Sequence, residues 1–219
     1  VSVANRSRES SQRVADEYGV ATIYDNWVDL IEAPDTNTIC IGTWPYMHCT
    51  MVLAALDNDK HVITEARMAM DAAEAHVMLD ASLQKPYLVT QIVPAPHTLK
   101  VDKTIIGLIS DGYLGDILSV DMTVHQGDFI DYEGPFHWRH NRDLSGLNIM
   151  QMGIWYEAMI RWIGPAASVS TTTRVNVKTR NDESGTGHHI TIPDHVETVC
   201  EMASGPVVHM RFSTVTGLA

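Results

Sequence analysis

Short apolar runs alternate with helical patterns along the first half of the chain. Val1-Ser2-Val3-Ala4, Thr38-Ile39-Cys40-Ile41, His61-Val62-Ile63-Thr64 and the stretch from Tyr87 to Ile92 each read as a strand. Arg8 to Tyr18 reads as a helix closed by Gly19, the residue type that most readily adopts the left-handed C-cap conformation. Asp25 is placed to cap a short helix carrying Trp27, Leu30 and Ile31, which Pro34 ends. His48 to Leu56 sets Val52, Ala55 and Leu56 at helical spacing, and Asp71 followed by Glu74 has the form of a capping box opening a helix from Ala72 to Leu83. Strands separated by helices need crossover connections, so this half predicts a doubly wound parallel sheet with helices on both faces.

After a helix from Asp102 to Asp111 that stops at Gly112, the pattern changes. Leu118 to Val124 has strand character, and Leu147 to Ile163 reads as a long helix ended by Gly164-Pro165. The strands Ser168 to Lys178, His195 to Met202 and Val207 to Ser213 follow, the last two joined by a Ser204-Gly205-Pro206 turn. Asn181 to Gly187 reads as a plain polar loop. Successive strands with no helix between them indicate a mainly antiparallel sheet, so the expected architecture is α/β followed by α+β, with domains 1–115 and 116–219. Val196, Val199, Val207 and Met210 are expected to share one buried sheet face that serves as a subunit contact, making the intact protein a homo-oligomer.

The chain carries 27 acidic and 15 basic residues among 219, a net charge of −12. With no Lys/Arg run, that charge disfavours non-specific binding to nucleic acid or to an anionic membrane, while leaving room for a local pocket for a small anion. No apolar run approaches the ~18 residues of a membrane span. Cys40, Cys49 and Cys200 are an odd number with no C-x-x-C spacing, and they read as reduced thiols of a cytoplasmic protein, the first two in buried segments. Val1 lies inside a strand-like stretch and Ala219 ends mid-pattern, so the chain reads as a fragment.

Open parallel sheets bind ligands beyond the carboxyl ends of their strands. Those positions are Asn5-Arg6-Ser7, Thr43-Trp44-Pro45, Glu65-Ala66-Arg67 and Gln91. At the first of them an acid would favour NAD through the ribose hydroxyl and an arginine would favour NADP through its 2′-phosphate. Arg6 without a carboxylate at Asn5 therefore points to NADP over NAD; the competing explanation leaves Arg6 and Arg8 as solvated residues at a helix start. No G-x-G-x-x-G occurs in the chain. That fingerprint is expected on a first strand upstream of Val1, and without its backbone cradle the fragment is expected to bind a dinucleotide poorly or not at all.

The run Ile41-Gly42-Thr43-Trp44-Pro45-Tyr46-Met47-His48, the helix end Ala54-Ala55-Leu56 and the segment Lys60-His61-Val62-Ile63-Thr64-Glu65 together resemble the Gfo/Idh/MocA oxidoreductases. Gly112-Tyr113-Leu114-Gly115-Asp116-Ile117 resembles that family's domain junction, and Trp138-Arg139 the loop before its catalytic helix. Ser145-Gly146-Leu147 through Trp162-Ile163-Gly164 resembles the helix itself. The resemblance implies a Rossmann-like NAD(P) domain followed by a substrate and oligomerisation domain. It also implies contacts with the cofactor from Asn5, Arg6, Ser7, Thr43, Trp44, His48, Glu65 and Gln91, and with a sugar-like or polyol-like substrate from Arg139 and His137.

The departures fall on the chemistry. The family's lysine, aspartate and histidine positions hold Ala66, Gln151 and Trp155, none of which takes a hydroxyl proton near neutral pH. Candidates to stand in are Tyr156 as proton relay, with Arg67 as the cation beside it, and Glu157, His137 and His140. Glu157 has a simpler role as a helix-surface carboxylate paired with Arg161 one turn on. Trp155 and Trp162, seven apart, suit core packing or a sugar-stacking platform. His188, His189, Asp194 and His195 lack metal-ligand spacing, so no metal site is expected. The expected activity is an NAD(P)-dependent oxidoreductase; the alternatives are a member that binds ligand without turnover, or a nicotinamide-assisted lyase or glycosidase.

Overall fold

A computed structural model of the chain describes residues 1–125, 131–147 and 152–214. The chain divides into two compact units, Val1–Val93 and Pro94–Ala219.

The first unit opens with β1 (Ser2–Val3), α1 (Arg8–Tyr18), β2 (Thr22–Ile23) and α2 (Trp27–Glu32). Ser7 starts α1 by accepting the Ser10 N–H, and Gly19 ends it at φ 67° with its N–H on the Ala15 carbonyl, the cap read from the sequence. β1 and β2 pair in parallel through Ser2↔Thr22 and Val3↔Ile23. Asn26, not Asp25, caps α2, its side-chain oxygen accepting the Asp29 N–H at 2.9 Å. Asp25 instead pairs with Arg8 on the surface.

The rest of this unit runs β3 (Thr38–Ile41), a 3₁₀ turn Pro45–Met47, α3 (His48–Asp57), β4 (His61–Thr64), α4 (Ala72–Gln84) and β5 (Thr90–Ile92). β3, β4 and β5 form a parallel sheet in that order, as the crossovers require. Asp71 caps α4 through the Glu74 N–H, while the Glu74 carboxylate reaches back to the Met70 N–H. Ile39, Ile41, Val62, Val52, Leu56 and Met78 form the core with Ile31. Alternation along β3 turns Ile39 and Ile41 inward, which places Cys40 on the exposed face and corrects the expectation of a buried thiol there. β5 is shorter than the expected Tyr87–Ile92 strand because a turn, closed by the Leu88 N–H on the Lys85 carbonyl, occupies its start.

The second unit contains α5 (Leu99–Ser110), β6 (Ser119–His125), a 3₁₀ turn Trp138–His140, α6 (Arg142–Ser145) and α7 (Met152–Ile163). β7 (Ala166–Arg174), β8 (Thr179–Asn181), β9 (Gly187–His189), β10 (His195–Met202) and β11 (Val207–Ser213) complete it. The four-stranded sheet runs β6-β11-β10-β7 with both neighbours of β10 antiparallel and β6 parallel to β11. β8 and β9 form a separate hairpin, so the stretch read as a plain loop is the hairpin's turn.

Val196, Cys200 and Met202 of β10 and Val208, Met210 and Phe212 of β11 are buried with Met159 of α7. Because side chains alternate along a strand, Val199 and Val207 fall on the opposite face from Val196 and Met210. The expectation that all four share one buried face is therefore wrong; Val199 is 42% exposed, beside Glu197 and Glu201. α5 packs against α7 through a polar network. The Asp102 carboxylate accepts from Arg161 Nε at 2.8 Å and from Trp162 Nε1 at 2.6 Å, and Arg161 also bonds Thr98 Oγ1 and the Glu157 carboxylate. Burial pushes the Asp102 carboxyl upward, but the bonds from Trp162, Thr98 and Arg161 outweigh it and hold the group below the usual range.

Candidate functional site

In the first unit the structure brings most of the expected cofactor positions into two small groups. Arg6, just after β1, lays its guanidinium over the Trp44 ring at 5.1 Å, so the strand end and the turn after β3 meet through a cation–π contact. Arg6 makes no ion pair among the described residues. Asn5 is tied to the first turn of α1, its backbone N–H on Ser11 Oγ at 2.8 Å and its amide on the Ser10 carbonyl, and Ser7 caps that helix.

The second group centres on His48. Its ring is 1% exposed, with Nδ1 2.7 Å from the Arg67 carbonyl and Nε2 3.0 Å from the Thr43 carbonyl. It is a tie between the turn after β3 and the turn after β4. Glu65 and Gln91 are exposed, Glu65 anchored by its backbone N–H on the Ile41 carbonyl. The Ala66–Arg67 peptide is cis.

Sequence reasoning missed Thr64 at the end of β4, whose hydroxyl is buried with no hydrogen-bond partner among the described residues. The only signal was a hydroxyl residue closing an apolar strand. A buried hydroxyl without a hydrogen-bond partner and an arginine without an ion pair among the described residues, with polar backbone turns at the strand ends, suit the polar groups of a dinucleotide.

In the second unit Arg139 lies over the Trp138 ring at 4.3 Å. His137 Nδ1 accepts the Arg139 N–H, and His140 Nδ1 accepts the His137 N–H at 3.0 Å. Burial, then the Arg180 and His137 charges, lowers the His140 pKa, in keeping with a ring nitrogen that must stay unprotonated to accept. Phe136 stacks on His188 at 4.1 Å, and His188 bonds Asp182 at 2.8 Å, docking this loop on the β8–β9 hairpin. The residues weighed for a metal are engaged separately: Asp194 accepts from Asn176 and Val177, and His195 bonds Ser213 and Glu197.

On α7, the Tyr156 hydroxyl accepts the Ala166 N–H at 3.2 Å and its ring packs against the sheet core, which makes it a structural tie. Glu157 pairs with Arg161, as its spacing indicated, and also accepts the Ala95 N–H. Trp162 is committed to Asp102, while Trp155 stacks on His97 with ring centroids 5.8 Å apart. Among the described residues the Trp155 indole N–H is buried without a partner. Gln151 lies outside the described residues. His97 was not singled out from sequence, where it is one histidine between Pro96 and Thr98 with no motif around it.

Two family models match the chain in order. An NAD-binding Rossmann-fold oxidoreductase model covers residues 1–91, and the GFO/IDH/MocA C-terminal domain covers residues 103–218. The chain belongs to the Gfo/Idh/MocA oxidoreductase family. Among curated relatives, levoglucosan dehydrogenase of Pseudarthrobacter phenanthrenivorans is 26% identical over 146 residues, 66% of this chain and 37% of that protein. The NADP-dependent D-xylose 1-dehydrogenase of Hypocrea jecorina is 23% identical over 70% of this chain and 40% of its own length. An oxidoreductase domain protein from Kribbella flavida superposes with a TM-score of 0.85 at 22% identity, over 96% of this chain and 57% of that one. A levoglucosan dehydrogenase complex with NADH and levoglucosan gives 0.86 at 21% identity, over 97% and 57%. These structural likenesses establish the Gfo/Idh/MocA fold, and the chain spans roughly half the length of such proteins. Among the described residues no helix is long and apolar enough to cross a membrane.

Proposed function

We propose that the intact protein is an NAD(P)-dependent oxidoreductase of a sugar-like or polyol-like small molecule. The observation that carries this is the pair of family matches spanning both units in order, with levoglucosan and xylose dehydrogenases among the relatives. A bound nicotinamide supplies the hydride acceptor or donor. Arg6 favours NADP, since a guanidinium that makes no ion pair among the described residues is available for charge-assisted bonds to a 2′-phosphate. Trp44 flanks it, and Thr43, Glu65, Gln91 and the Ala66–Arg67 turn form the remaining cofactor edge. Arg139 and His137 are assigned to substrate hydroxyls. We further assign the protein to the cytoplasm and to a homo-oligomer formed through the open face of the four-stranded sheet, which light scattering on the intact protein tests.

A second reading has a specific support: Ala66 and Trp155 cannot transfer protons, so the protein binds a dinucleotide and a sugar without turnover. The deciding experiment follows reduced nicotinamide with NADP and NAD against levoglucosan, D-xylose and inositol. Turnover with any of them supports the oxidoreductase; dinucleotide binding with no turnover supports the second reading.

A further inference from the structure

The side chain at position 155 carries no exchangeable ring proton of use near neutral pH, yet an imidazole lies directly against it. The His97 and Trp155 rings are 5.8 Å apart and within 20° of parallel. His97 is exposed, and its ring nitrogens make no hydrogen bond among the described residues. The indole N–H beside it is buried and has no acceptor among the described residues, a costly state for a donor unless something arrives to fill it.

His97 is also held. Pro94 and Pro96 restrict the backbone on either side of Ala95. The Ala95 N–H donates to Glu157 Oε2 at 3.1 Å, and Thr98 Oγ1 accepts from Arg161 at 2.9 Å. Glu157 and Arg161 are one turn apart on α7, so the segment bearing His97 is fastened to the helix bearing Trp155 on both sides of the imidazole.

We propose that His97 is the proton-transferring catalytic residue of this protein, with the Trp155 indole N–H as a hydrogen-bond donor to a substrate oxygen beside it. The inference rests on the oxidoreductase reading above. Oxidising a carbinol would break its C–H bond as hydride, which a bound nicotinamide would take up with its electron pair, and its O–H bond as a proton. That proton goes to a His97 ring nitrogen as the carbonyl forms, and the imidazolium then releases it to water; reduction runs the same transfers backwards. Trp155 is thus not an empty substitution: it gives up proton transfer, provides the stacking surface for an imidazole supplied by another segment, and offers its own N–H to the substrate.

The test uses the intact protein with NADP and levoglucosan, His97→Gln, His97→Gly and Tyr156→Phe. His97→Gln is expected to lower kcat about 10²- to 10⁴-fold, the usual range for lost general acid–base help, with a much smaller change in KM. Added imidazole should restore part of the activity of His97→Gly, which a structural role would not allow. A second readout needs no turnover: diethyl pyrocarbonate should modify His97 in the apo protein, and levoglucosan should shield it. Unchanged kcat in His97→Gln, or a loss confined to Tyr156→Phe, overturns the proposal. Should the wild-type protein turn over no sugar at all, the oxidoreductase reading fails, and shielding then decides the site: protection keeps His97 in a sugar site, and no protection removes it.

Discussion

Replacing His48 tests whether the dinucleotide edge of the first unit is built by hydrogen bonds or by packing. The imidazole is 1% exposed and lies 2.7 Å from the Arg67 carbonyl and 3.0 Å from the Thr43 carbonyl. A neutral imidazole donates from one ring nitrogen, so His48→Phe preserves most of the volume and takes away the one donor shared between these carbonyls. At about 1–3 kcal/mol for one acceptor left without its donor, the expected cost is roughly 1–3 kcal/mol. His48→Gln loses shape but retains an amide donor for one carbonyl, so its cost should be smaller. The unusual feature is the order: the ring-for-ring replacement should be the more damaging. Urea unfolding followed by circular dichroism reads that order directly. NADP affinity should fall in parallel, because the turns carrying Thr43 and Arg67 would then have to be ordered on binding. If His48→Phe is as stable as the wild type, or milder than His48→Gln, the imidazole only fills space.

Arg6→Ala should weaken NADP by about 1.5–3 kcal/mol, roughly 10- to 150-fold, and leave NAD nearly unchanged; equal losses measured by titration calorimetry would remove the 2′-phosphate assignment. Asp182 answers to pH. Hydrogen bonds from Ser184 and His188, opposed by burial and aided by the Thr186 and Ser184 backbone, hold its carboxyl well below the ordinary range. A depressed folded-state pKa contributes stability above the unfolded value of about 3.9 and loses it as pH falls towards the folded one. Asp182→Asn should therefore lower the melting temperature at neutral pH, with the gap closing below about pH 4, and a gap independent of pH would refute the assignment.

Elements whose signals are local were legible in the sequence. α1 between Ser7 and Gly19, α4 behind Asp71 and Glu74, and the β10–β11 pair across Ser204-Gly205-Pro206 all have their start and stop chemistry within a few residues. β2 was not legible, because two residues are too short for any alternation to show. Faces were harder than elements. Cys40 and Val199 are apolar residues in correctly placed strands, and only the ladder register fixes which side of the sheet each occupies. Likewise α5 was grouped with the first domain because its helix follows β5, whereas its buried Asp102 binds Arg161 and Trp162, and the compact units divide at Val93.

The candidate site divides along the same line. Sequence position alone placed Arg6, Thr43, Trp44 and Glu65 at strand ends, since a parallel sheet puts every such end on one side. It could also pair Glu157 with Arg161, four residues apart on one helix. What it could not supply was Ala95 on Glu157, 62 residues away, or Thr98 on Arg161, 63 away. Those contacts turn a surface ion pair into a clamp and bring His97 onto Trp155. A family pattern read position by position records a lost histidine at 155. A histidine from a different segment, as proposed above, answers that loss, because proton transfer depends on where an imidazole sits in space and not on which residue of the helix carries it.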